Sequence, residues 1–448
     1  MNDILNALKY TTDTKACIIA RGAIGSSVAF LRDLYPALKS VFLVADPNTW
    51  RVAGEQVAAA LSNDGITVKR FMLGADGAPF HAEYKWIDVL REAYLNEANR
   101  PTILAVGSGT INDLCKRMAE EVGERYAVIG TAASMDGYTS FGAAITKDGM
   151  KQTLSCKAPL GCLIDTEIAA AAPKEMAASG YADLIAKLPA GADWLVADLI
   201  DSEKIHPVAW SLVQDSLRKS LSNPEGVAAG DVDEIAGLCK GLIMSGFAMQ
   251  AMGSSRPASG TEHQISHYWD MEDLCFNGAP VSHGFKVGIG TLVSTAIFEF
   301  ILEQDLSQLD VDAVVAKWWP NFDALKAEFP KVYGSREAHI RRAESEMKTK
   351  YITPDALRIE LTKIKEAWSD LAPKLRAQIM PFAEVRENLR IVGAPYAIDH
   401  IGVTPERFFE TLMGVSYMRN RYFGMDLLCR IGKYDEFEAY LKQVMGLS

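Results

Sequence analysis

The sequence predicts an α/β domain built on a parallel sheet over residues 1–170, followed by an all-helical domain over residues 171–448. Three observations carry this. Short β-type runs alternate with helical stretches as far as residue 165, a hairpin-like segment interrupts the rhythm at 141–156, and from Pro173 onward the apolar spacing is helical. A chain of 448 residues has room for two or three domains of about 100–200 residues each.

Cys17 to Ala20 reads as the first strand, followed by a Gly-containing turn and an amphipathic stretch through Leu38. VFLVAD at 41–46 is the second strand and residues 50–62 its helix. ITVKRFML at 66–73 precedes a helix near 83–97, TILAVGSGT at 102–110 precedes one through Glu121, and YAVIGT at 126–131 is a further strand. Strands separated by 10–15-residue helices indicate βαβ units. FGAAITKDGMKQTLSC at 141–156 places a Lys-Asp-Gly turn between two β-type runs, and LGCLID at 160–165 closes the series.

In the second half, GLCKGLIMSGFAMQAMG at 237–253 has the small and apolar composition of a helix buried on most sides. Pro189 and Gly191 interrupt the helical run after Asp183, which predicts a kink there. Residues 336–379 are strongly charged and read as solvent-exposed helices; the run Arg341, Arg342 is balanced by Glu344 and Glu346, as on a solvated face. They fall in a charged helical extension at about 305–385.

With 46 basic and 57 acidic side chains the net charge is −11, which disfavours nucleic acid and anionic membranes as partners. The N-terminus has no basic cap and apolar run of the secretory type, and the apolar stretch from Val287 to Leu302 is broken by glycines, hydroxyls and Glu299, so no membrane insertion is expected. Seven scattered cysteines without a CxxC pair fit reduced thiols in a cytoplasm.

GSGTIND, with Gly107, Ser108, Gly109, Thr110 and Asp113, lies where a strand gives way to a helix. Such glycines let the backbone approach a diphosphate, and free N–H groups stabilise its charge; a tight strand-to-helix turn needs the same residues. Asp46, at the end of the second strand, suits either an adenosine ribose, where it would repel a 2′-phosphate, or a cap on the next helix. TAASMDGYTS at 131–140 brings Thr131, Ser134 and Asp136 to a strand end, as a ligand-facing edge or a structural loop.

Asp183 falls in an apolar helical context where an unpaired carboxylate is costly. His263 and His267, in GTEHQISHYWD, share one helix face, and His283 opens HGFKVGIG. A carboxylate and imidazoles suit a divalent transition metal with open positions, whereas a lone core histidine needs no ligand role.

Taken together, GSGTINDL, TAASMDGYTSFGAA, DGMKQT, PKEMAASGYADLIAK with the later ADW, SSRPASGTEHQISHYW and HGFKVGIG resemble the sn-glycerol-1-phosphate dehydrogenases, from about residue 17 to 300. These belong to the superfamily of iron-type alcohol dehydrogenases, glycerol dehydrogenases and dehydroquinate synthases. The resemblance implies a dehydroquinate synthase-like fold, with a dinucleotide on the N-terminal sheet, GSGT at its pyrophosphate, Asp46 at its ribose, and Thr131 and Ser134 at the nucleotide. It implies NAD or NADP, with NAD favoured, and one divalent metal (zinc, nickel or iron) held by Asp183, His263 and His283. It assigns His267 to substrate contact or proton transfer, and Asp136 to the region of substrate and nicotinamide.

The activity implied is interconversion of dihydroxyacetone phosphate and sn-glycerol 1-phosphate by hydride transfer to a metal-polarised C2 carbonyl. A phosphate needs donors, and Lys187, Arg256 and Lys286 are the candidates. The expected setting is a cleft between the two domains in a cytoplasmic homo-oligomer, a dimer or larger. Other readings are a dehydrogenase of another polyol or phosphosugar; a dehydroquinate-synthase-like lyase, against which EHQISHYWD stands where those enzymes show Gly-His-Thr-x-Gly-His; and a noncatalytic phosphosugar sensor, against which the metal set stands.

Overall fold

The computed structural model describes residues 2–74, 80–147 and 150–447. It divides into two compact units: the first comprises Met1–Leu184, Pro207–Ser255 and Ile391–Gly393, the second Ile185–His206, Arg256–Arg390 and Ala394–Ser448. Residue 170, where the sequence suggests a boundary, ends the short helix Thr166–Ala170 inside the first unit.

The first unit is organised by strands β1 (Ala16–Ala20), β2 (Ser40–Ala45), β3 (Thr67–Met72), β4 (Thr102–Gly107), β5 (Tyr126–Gly130), β6 (Ala143–Lys147), β7 (Met150–Leu154) and β8 (Gly161–Asp165). Six form a parallel sheet in the order β1-β8-β5-β4-β2-β3. Its central strands are apolar on both faces, as a sheet covered by crossover helices must be. Val41, Leu43, Leu104, Val106, Ala127, Ile129 and Leu163 join Phe30, Leu31, Val57 and Leu61 in one core, while the alternate residues Phe42, Val44, Ile103, Ala105, Val128 and Cys162 are also buried.

β6 and β7 pair antiparallel, as the hairpin pattern requires; the expected turn residues Asp148 and Gly149 lie outside the described residues. Four helices complete the unit's main helical part: Lys174–Ile185, Pro207–Ser220, Pro224–Ala229 and Val232–Met252. The buried amide of Gln250 joins the last of these to the segment just before β1. Its Oε1 accepts the N–H groups of Asp13 and Thr14 at 3.0 and 3.2 Å, and its Nε2 donates to Thr14 Oγ1 at 2.9 Å.

The second unit is helical among the described residues apart from a two-residue ladder, Cys275–Phe276 with Ala279–Pro280. The helical run is interrupted after Asp183, as expected. The break falls at Ala186, and Pro189 is the third residue of the helix Lys187–Leu199, in a first turn where no N–H is needed. The charged helices are not simply solvated. In Pro354–Gln378 the residues Leu357, Leu361, Ile364, Trp368, Leu371 and Leu375 form a buried stripe spaced four and three apart. Val232–Met252 and His283–Glu303 are long and apolar enough to cross a membrane by length and composition, and both are mostly buried.

Candidate functional site

In the first unit, β4 ends at Gly107 and the helix Gly109–Val122 begins without a side-chain cap from Ser108. Its first N–H groups therefore have no cap from Ser108, and such a helix end stabilises an anion. Thr131, just beyond β5, donates its N–H to the Gly107 carbonyl at 3.1 Å, so the two strand ends stay in register where they meet this helix. Asp46 caps the helix that begins at Pro47: Oδ1 accepts the N–H groups of Asn48 at 2.7 Å and Thr49 at 2.9 Å, and its own N–H donates to Thr49 Oγ1.

The segment after β5 is fixed from three directions. Lys116, fully buried, donates to the carbonyls of Gly137, Ser140 and Gly142 at 2.8, 3.0 and 3.0 Å. Asp113 Oδ2 accepts the Ala144 N–H at 3.1 Å at the head of β6. Ser245, on Val232–Met252, donates to Asp136 Oδ2 at 2.8 Å. Asp183 is buried in the last turn of Lys174–Ile185, and its Oδ2 accepts the Asp136 N–H at 3.0 Å. Gly180 makes this approach feasible, because a Cβ there would overlap the Ala133 carbonyl oxygen. Ser134 offers its carbonyl to Ser179 Oγ on the same helix, at 3.3 Å.

In the second unit three imidazoles converge. The ring centroids of His263 and His283 lie 5.3 Å apart, and that of His267 is 6.3 Å from each. His263 and His283 present ring nitrogens within 4.8 Å of each other. Nδ1 of His263 is 2.8 Å from Oε1 of the wholly buried Glu262. A carboxylate only accepts, so Nδ1 carries the proton and Nε2 keeps its lone pair. His283 Nδ1 is 3.5 Å from Ser266 Oγ. The donor chemistry and spacing of this histidine pair fit a divalent transition metal.

His267 has 43% side-chain exposure and Nδ1 3.7 Å from Asp270 Oδ2. Burial of the ring's surroundings depresses its pKa, with Asp270 opposing and the charges of His263 and Arg419 adding to the depression. Lys286 is ion-paired with Asp270. Arg256 donates to the carbonyls of Asp193 and Tyr422 at 2.8 and 2.9 Å. Lys187 is wholly buried at the head of its helix.

The iron-containing alcohol dehydrogenase family model matches residues 18–173. Over 282 residues the chain is 35% identical to a glycerol-1-phosphate dehydrogenase [NAD(P)+] of Halalkalibacterium halodurans, covering 63% of this chain and 70% of that one. The chain belongs to the glycerol-1-phosphate dehydrogenase family. The Geobacillus thermodenitrificans member is 33% identical over 302 residues, covering 67% of this chain and 74% of its own. The fold matches the crystal structure of glycerol dehydrogenase from Schizosaccharomyces pombe with a TM-score of 0.61 at 18% identity, covering 98% and 93% of the two chains. It also matches the iron-containing alcohol dehydrogenase of Thermotoga maritima with a TM-score of 0.59 at 10% identity, covering 98% and 99%.

Within this glycerol-1-phosphate dehydrogenase family member, the structure groups the candidate residues unit by unit. Gly107, Ser108, Gly109, Thr110, Thr131 and Ser134 lie at neighbouring strand ends of the first unit, as does Asp136 after β5. Asp46 caps a helix and Asp113 holds β6, so each has a structural bond in addition to any nucleotide role. His263, His267 and His283 are gathered in the second unit. Sequence reasoning missed Lys116, Ser245 and Glu262. Only Glu262 carried a signal, since an acid beside a candidate ligand histidine is a natural orienting partner.

Proposed function

We propose that this chain is a metal-dependent, NAD(P)-linked oxidoreductase that interconverts dihydroxyacetone phosphate and sn-glycerol 1-phosphate. The observation that carries this is the His263–His283 pair, with the His263 tautomer fixed by Glu262, in a chain 35% identical to a glycerol-1-phosphate dehydrogenase. We assign the metal, zinc, nickel or iron, to Asp183, His263 and His283. The assignment of Asp183 draws on its burial next to the Asp136 main chain and on its position one residue before the division between the units.

When bound, a divalent cation polarises a carbonyl and favours the developing alkoxide. The protein's own groups supply the rest. The uncapped N-terminus of Gly109–Val122, with Gly107, Ser108, Gly109 and Thr110, suits a pyrophosphate, and Thr131 and Ser134 flank it. Asp46 at an adenosine ribose would disfavour a 2′-phosphate and so favour NAD over NADP. Asp136 and Lys187 are assigned to substrate contact. His267, half-exposed and with its pKa lowered by its surroundings, suits accepting and returning the hydroxyl proton. The seven cysteines are free thiols, in keeping with a cytoplasmic enzyme; a homo-oligomer completes the proposal.

The deciding experiment follows NADH and NADPH oxidation by metal-replete protein with dihydroxyacetone phosphate, dihydroxyacetone, glyceraldehyde phosphate and pentulose phosphates. Preference for dihydroxyacetone phosphate with chiral sn-glycerol 1-phosphate as product is expected. Turnover of the cofactor with none of them, at full metal occupancy, would sink the reading.

A further inference from the structure

We propose that Asp193 is a positioning residue for the metal centre: its buried carboxylate seats the head of the helix Thr261–Met271 and thereby sets where His263 and Glu262 stand. This rests on the metal assignment made above and adds to it a residue outside the ligand set.

Asp193 lies in the helix Lys187–Leu199 and is wholly buried. A carboxylate placed there needs donors, and it finds them on two separate segments. Oδ2 accepts the Thr261 N–H at 2.6 Å, while Oδ1 accepts the Thr261 hydroxyl at 3.3 Å and the Gly424 N–H at 2.5 Å. Its main-chain carbonyl accepts Arg256 Nη2 at 2.8 Å, and the same guanidinium donates from Nη1 to the Tyr422 carbonyl at 2.9 Å. One residue thus fastens both the approach to the histidine helix and the start of the helix Gly424–Arg430.

The histidine helix has no side-chain cap from its own N-cap residue, Gly260, so the donors of its first turn depend on acids placed around it. Glu262 Oε1 takes the Gly260 N–H and Asp193 the Thr261 N–H. A Cβ on Gly260 would overlap Asp193 Oδ2 and would stand 2.8 Å from Glu262 Oε2 and 2.9 Å from the Ala190 Cα. Both carboxylates and the neighbouring helix therefore close on this one α-carbon, which only glycine permits. Thr261 stands two residues before His263, and Glu262 holds His263 Nδ1. A displaced helix head would carry the ring and its orienting acid with it.

The test uses full-length protein and reads metal binding rather than turnover. Zinc affinity is measured by chelator competition, at a temperature at which circular dichroism shows each variant folded, and ligand geometry by the visible absorption of the cobalt(II)-loaded protein. Asp193→Ala should weaken zinc affinity by about tenfold or more and alter the cobalt spectrum. Asp193→Asn, which keeps one carbonyl oxygen, should recover part of the affinity, and Thr261→Val, which keeps the N–H, should bind zinc nearly as wild type does. If Asp193→Ala does not fold, Asp193→Asn decides, with a loss of about threefold or more expected. A lower melting temperature with unchanged zinc affinity and an unchanged cobalt spectrum would assign Asp193 to the fold alone and overturn the proposal. If the wild type binds neither zinc nor cobalt, the metal assignment fails separately. Positioning is then judged by amide hydrogen exchange: faster exchange at the head of Thr261–Met271 in Asp193→Asn supports it, and exchange equal to wild type there overturns it.

Discussion

Oε1 of Glu262 lies 2.8 Å from Nδ1 of His263, and the same oxygen accepts the Gly260 N–H at 2.7 Å. The carboxylate thus holds one tautomer of the ring and raises its basicity. Outer partners of this kind are worth roughly 10–100-fold in metal affinity. Glu262→Gln keeps the size but removes the charge, and should weaken metal retention about tenfold in a chelator-competition titration. An unchanged affinity would show that the ring is oriented by its packing alone.

Lys116 is a buried ammonium whose pKa is depressed by desolvation, with Asp113 opposing. Its three carbonyl partners belong to the loop that follows Asp136. Lys116→Met fills much of the space but takes the donor from the Ser140 and Gly142 carbonyls, while Gly137 keeps Ser140 Oγ, which should cost roughly 2–6 kcal/mol at about 1–3 kcal/mol for each of the two buried groups. Urea unfolding measures this, and a loss below about 1 kcal/mol would mean that water replaces the ammonium.

Gly180 faces main chain rather than a flexible side chain, so the clash with Ala133 cannot be relieved by a rotamer change. Gly180→Ala should shift the Lys174–Ile185 helix and its Asp183 away from the Asp136 N–H, at about 1–3 kcal/mol. We expect a lower melting temperature together with faster metal loss. A variant as stable as wild type would argue that the helix is free to move.

Asp193 accepts the Thr261 N–H and hydroxyl as well as the Gly424 N–H, yet burial, followed by the charge of Glu262, raises its carboxyl from 3.8 to about 7. A carboxyl raised on folding binds more protons in the native state between those two values. Its contribution to stability is therefore present in acid and lost as pH rises through about 7. Melting temperatures measured from pH 5 to 8 should fall less steeply for Asp193→Asn than for wild type, whatever the offset between them. Parallel curves would assign the pH dependence to other groups.

The strands were legible because a sheet buried on both faces writes continuous apolar runs ended by small residues, as in VFLVAD and YAVIGT. Asp183 was legible through the cost of burying a carboxylate, and the structure buries it against the Asp136 N–H. Lys116 was not legible, since its partners lie 21 to 26 residues away in a loop with no periodicity. Pro189 made the interruption after Asp183 legible, though not that the break would fall at Ala186 and leave Pro189 in a new first turn. The stripe from Leu357 to Leu375 was present in the letters, but the density of charge on the opposite face concealed it.

The charged extension also ends in a set of ties. Arg342 donates to the Met418 carbonyl, Glu346 accepts the Asn420 N–H, Lys350 pairs with Asp426 and Glu360 with Arg430. Successive turns of two helices thereby clasp one short stretch on either side of Arg419 and Arg421. The extension and the C-terminal stretch are consequently coupled as one folding part, and a chimaera joined between residues 350 and 418 should be less stable in melting experiments than one that takes both pieces from the same parent.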